Sequence, residues 1–237
     1  MIKTWMTPWL LMAVPFLGAA LSLLLRTSLQ RMKTSALLTT VASMLVVIGT
    51  PWALGDTLAG VPFLCLLPLT AFLSLLGQPL HRDNTSAWTT TLVLLGLGLG
   101  ILTAQAPAHA VMLLVLPGLL CILLYRYQSG ATPETWRGLS AYGLSMMSAA
   151  LALLLPTPAS TVALLVTCAT LLPLLPVHSG FIATLTGLPG NLPAFLVFLL
   201  PTVGFHTLLM LLPNLTGTTL HTVAILALAG AVYGSLR

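Results

Sequence analysis

AWTTTLVLLGLGLGILTAQ (residues 87–105) is followed almost at once by PAHAVMLLVLPGLLCILLY (107–125), and neither stretch contains an Asp, Glu, Lys or Arg. A helix that crosses a bilayer needs about 20 mostly apolar residues. At a rise of 1.5 Å per residue each stretch covers about 28 Å, close to the thickness of a hydrocarbon core. The pair reads as two consecutive membrane-spanning helices, separated by a break at Gln105 to Pro107.

The rest of the chain extends this reading. Of 237 residues, 58% are hydrophobic and 5% charged, against roughly 45–50% and about 25% in a soluble domain. Eight Lys plus Arg and three Asp plus Glu cannot coat a globule of this size, and the mean hydropathy is +1.07. A water-soluble fold is excluded, and lipid is the expected outer medium. Hydropathy, with breaks at charged or Pro/Gly/Asn-rich points, predicts nine spans near 5–25, 35–54, 59–78, 87–105, 107–125, 138–155, 159–176, 191–212 and 217–235. The fold expected is an all-α polytopic membrane protein forming one transmembrane domain, residues 1–237. The first stretch resembles a signal peptide, but Pro8, Pro15 and the lack of an Ala-x-Ala site before Arg26 make it a retained span. The seventh is expected to be broken by Pro173 and Pro176. The segment from Ser179 to Pro193, with Gly180, Gly187 and Gly190, is not expected to form a regular helix.

Orientation follows from the basic residues. Arg26, Arg31, Lys33, Arg82, Arg126, Arg137 and Arg237 fall on one side and Lys3 alone on the other, which puts the N-terminus outside, the C-terminus inside, and requires an odd number of spans. No charged residue lies in the middle of a span, unlike an ion path lined by carboxylates or lysines. Polar groups at depth are His109, His178, His206, Gln105 and scattered Ser and Thr. His178 reads either as a partner for carbonyls freed by the prolines or as a proton-relay group. His206, five residues after Pro201, carries the same two readings. Trp5, Trp9, Trp52, Trp88 and Trp136 lie near span ends, as in an aromatic belt. Gly96 and Gly100 share one helical face as a small-x-x-x-small contact with a close helix, of this chain or of another subunit. Cys65, Cys121 and Cys168 sit in apolar runs and read as small hydrophobes. No Rossmann fingerprint, phosphate loop or Cys-x-x-Cys pair occurs. No cofactor, metal or nucleic-acid partner is expected.

Three pieces of the chain resemble a known family. Pro8-Trp9-Leu10-Leu11 through Pro15-Phe16-Leu17-Gly18 is similar to an opening helix of the type "PWLILIPFIGG". Ala131 to Leu155, with Trp136, Tyr142 and Gly143, resembles a sixth helix and its basic, aromatic lead-in. The most specific piece is Pro173-Leu174-Leu175-Pro176-Val177-His178, followed by Leu188-Pro189, Leu199 to Leu208, Leu212-Pro213-Asn214 and Val232-Tyr233-Gly234. Together they resemble the antiporter-like, M-type membrane subunits of respiratory complex I, the proton-pumping NADH-quinone oxidoreductase. The resemblance implies three leading helices (1–85), one five-helix antiporter-like unit (86–212) and a final helix (213–237), without the inverted second unit. It also implies a bacterial or mitochondrial inner membrane, and partners that are other subunits of a hetero-oligomeric redox-linked complex.

The departures from that family matter as much as the matches. Laying Leu95 to Gln128 on the family's fourth and fifth helices puts Val115 at the pairing glutamate, and the central lysine of the eighth helix falls on Pro201. By resemblance, His178 is the only acid or base of the proton path that is kept. Val and Pro neither hold a proton nor orient water. The expected function is a degenerate structural subunit, not catalytic alone. The alternative is an active proton, cation or inorganic-carbon carrier subunit working through His178 and His206.

The basic bias makes a testable statement about topology. In a variant lacking the native cysteines, a thiol introduced by Ser28→Cys is expected to react with an impermeant maleimide from the cytoplasmic or matrix side only. Labelling from the opposite face refutes the orientation.

Overall fold

The computed structural model describes residues 2–54, 61–105, 107–127, 133–172, 174, 179–215 and 217–235. Among them are α1 (Ile2–Leu24), α2 (Leu29–Leu54), α3 (Val61–Leu76), α4 (Thr85–Thr103), α5 (Ala108–Tyr127), α6 (Pro133–Leu154), α7 (Ala159–Leu171), α8 (Ser179–Gly187), α9 (Leu192–Leu211) and α10 (Gly217–Ser235), with 3-10 turns at Arg82–Asn84 and Leu212–Asn214. The described residues contain no strand. Among the described residues, four stretches are long and apolar enough to cross a membrane: Leu29–Thr50, Thr85–Thr103, Ala108–Tyr127 and Leu192–Asn214. Pro8–Leu24, Leu64–Leu76, Ala159–Leu171 and Gly217–Ala229 are shorter apolar helices.

Two compact units divide the chain, residues 1–112 with 189–199 and residues 113–188 with 200–237. The first is built around α4, in which every residue from Leu94 to Leu102 is buried. Three glycines on alternate positions allow this. Gly96 and Gly100 face α1: a Cβ on Gly96 would meet Pro15 and the Met12 carbonyl, and one on Gly100 would stand 2.5 Å from Met12 Sδ. Gly98 points elsewhere, where a Cβ would come 2.5 Å from Leu199 Cδ1 and 2.8 Å from Leu67 Cδ2. The close partner of the Gly96–Gly100 face is therefore α1 of the same chain, which corrects the idea that a second subunit supplies it. A further correction concerns Trp88, which is 0% exposed. It lies in a core with Ala19, Met32, Ala36, Leu75 and Leu92, because two alanines leave ring-sized space beside it. Trp9 and Trp136 are exposed, as belt residues are.

Lys33, read from sequence as a topology marker, has a local task as well. Its Nζ on α2 donates to the carbonyls of Leu76, at 3.2 Å, and of Gln78. A cation thus meets the carbonyl of Leu76, the last residue of α3, and one two residues beyond it, where the helix end is most negative.

In the second unit α7 and α8 both pack on α6. α7 stops at Leu171, where Leu172 turns to extended backbone and its N–H bonds back to Cys168. α8 begins at Ser179. Pro173, Pro176 and His178 lie outside the described residues. Ser179 to Gly187 is a regular helix, which corrects the expectation that its glycines forbid one. Gly180 is where the helix presses on Ala141 and the Tyr142 ring, and Gly190, at φ +66°, makes the turn beyond it. Along α6 the contacts run in order: Ser148 and Ser145 meet Thr167 of α7, Tyr142 meets Thr184 of α8, and Gly138 meets Ala183. α7 and α8 therefore follow one another antiparallel to α6. With 13 and 9 residues they rise about 20 and about 14 Å, together one hydrocarbon thickness and singly too little.

α6 contains its own control for how tightly α8 is seated. A Cβ at Gly138 would collide with that of Ala183, whereas at Gly143 nothing stands within 4 Å. Gly138→Ala is expected to lower stability by roughly 1–3 kcal/mol through overpacking. Gly143→Ala is expected to leave it unchanged or raise it by up to about 1 kcal/mol, from helix propensity alone. Unfolding of both variants in mixed micelles checks the difference, and equal behaviour refutes the contact.

Candidate functional site

The polar interior of each unit is built from side chains that carry no charge at any ordinary pH, apart from histidine. Among the described side chains the buried polar residues are Ser, Thr, Asn191 and His109, and the six described Lys and Arg side chains are not buried. No three His, Cys, Asp or Glu side chains among those residues come together in a way that would hold a metal ion.

Asn191 organises the first unit. It immediately precedes α9, is 1% exposed, and its carbonyl accepts from the Phe195 N–H at 3.2 Å. Its amide nitrogen donates to Ser74 Oγ of α3 at 3.2 Å and to Thr91 Oγ1 of α4 at 2.8 Å. The direction of these bonds follows from the hydroxyls, whose own hydrogens are already committed, that of Ser74 to the Ala71 carbonyl and that of Thr91 to the Ala87 carbonyl. Both oxygens can only accept, so the amide must present its NH2 group. Asn191 Oδ1 is left buried without a partner.

Two further bonds tie this unit. Ser22 of α1 lies 3.1 Å from Thr89 of α4. His109, at the start of α5, places Nδ1 2.9 Å from the Ile101 carbonyl in the last turn of α4. A carbonyl only accepts, so Nδ1 carries a hydrogen. The imidazole thus serves one of the carbonyls that a helix end leaves open, and it fixes the α4–α5 turn.

In the second unit Tyr142, Ser145 and Ser148, three apart on one face of α6, look at α7 and α8. Ser148 Oγ is 2.9 Å from Thr167 Oγ1, Thr170 donates to the Thr167 carbonyl at 2.7 Å, and Tyr142 OH lies 3.4 Å from Thr184 Oγ1. Ser145 Oγ is buried without a partner. Such a stripe can align hydroxyls and accept water, but it contains no group that changes charge near neutral pH.

The residues singled out from sequence fall as follows. His206 is half-buried within α9 and Pro201 lies inside the same helix. Val115 is 49% exposed on α5. His178, Pro173 and Pro176 are outside the described residues, and so is any meeting of His178 with His206. Asn191 was not read from the sequence as a site residue. Its signal was there, an Asn directly before Leu192-Pro193, the composition of a helix start.

The direction of the Asn191 bonds makes their loss asymmetric. Asn191→Asp offers two acceptor hydroxyls a group that cannot donate when ionised, and it is expected to destabilise more than Asn191→Leu. The Leu variant is expected to lose about 1 kcal/mol, the scale of interhelical hydrogen bonds in membranes. Equal losses in a detergent unfolding titration contradict the assigned direction.

No family model matches the chain, and no curated protein or solved structure matches it, so the chemistry of these side chains is the ground on which function is argued.

Proposed function

We propose that the chain is an integral membrane subunit of about nine passes that serves assembly rather than ion pumping, within an energy-converting complex related to respiratory complex I. The observation that carries the proposal is the make-up of the described interior: its buried polar side chains are hydroxyls, one amide and one imidazole, and none of the six Lys and Arg side chains described, Arg26, Arg31, Lys33, Arg82, Arg126 and Arg137, is buried. A group that moves protons or cations through hydrocarbon needs sites that gain and lose charge, and hydroxyls bonded back to their own helices provide none. The host complex is suggested by the resemblance of the opening helix, of the sixth helix and of the Pro-x-x-Pro-x-His segment to antiporter-like subunits. In this reading Val115 and Pro201 replace the charged pair, and the setting is a bacterial or mitochondrial inner membrane.

The pass count has support of its own. A Cβ at Gly190 would meet Asn84 and Gln78, so α9 begins beside the connection between α3 and α4. Starting from that connection, the chain returns to the same end only after an even number of passes. α4, α5, α6 and the interrupted pair α7 with α8 make four. The orientation, N-terminus outside and C-terminus inside, comes from the basic bias of the sequence.

Purifying the tagged chain in mild detergent and identifying what accompanies it tests the proposal. Quinone-reductase or hydrogenase-like subunits are expected, and a lone monodisperse chain overturns it. In the recovered complex His206→Gln and His178→Gln are expected to leave the proton-to-electron ratio unchanged. Loss of transport in the His206 variant at normal abundance establishes the carrier alternative instead.

A further inference from the structure

We draw no further inference here: the strongest candidate, the basic surface patch of the first unit where Arg26, Arg31 and Arg82 stand exposed beside the α1–α2 and α3–α4 connections, restates the charge bias already read as topology, and nothing in the structure shows what covers it.

Discussion

A hydroxyl or carbonyl in hydrocarbon has no water to turn to, and helices apolar enough to cross a membrane have to satisfy most of their polar atoms within the protein. The consequences run through both units. Thr39, Ser43, Thr91, Thr103 and Thr207 each donate to the carbonyl four residues earlier on their own helix. This leaves their oxygens able only to accept. Helices so arranged attract donors from elsewhere, and Asn191 is the donor that serves two of them. The same demand explains why His109 turns to the end of α4 and Lys33 to the end of α3: both serve carbonyls that a helix terminus leaves open.

Packing answers a second demand. Lipid gives little hydrophobic reason for helices to associate, so close approach has to come from small residues. α4 does this twice, with Gly96 and Gly100 against α1 and Gly98 against Leu67 and Leu199. Three glycines cost a helix about 1 kcal/mol each in propensity. Their return is a helix buried from Leu94 to Leu102. In the second unit Gly138 allows the same approach between α6 and α8.

Hydropathy was enough to read the long helices. The stretches 87–105 and 107–125 became Thr85–Thr103 and Ala108–Tyr127, because an apolar run bounded by polar or proline-rich residues has one economical conformation in lipid. What hydropathy could not carry is which faces meet. Trp88 looks like any tryptophan at a span end until Ala19 and Ala36, from other helices, are seen to leave room for it. Gly180 and Gly187 read as helix breakers, yet the first is the contact surface of α8 on Tyr142. The Asn191 site joins two helices to the residue just before a third, and pairing at that range has no periodicity to reveal it.

The bonds of Asn191 also set an order of events during synthesis. Ser74 and Thr91 precede it by 117 and 100 residues, so at about 5–20 residues per second they leave the ribosome on the order of ten seconds before their donor does. During that interval α3 and α4 stand in the nascent bundle with the seat of α9 empty. They can wait at small cost because each hydroxyl has already given its hydrogen to its own helix, and an acceptor without a donor is the more tolerable kind of vacancy. The arrival of residue 191 then closes a structure whose first part was synthesised long before, and the early helices gain their final packing only when most of the chain has been made.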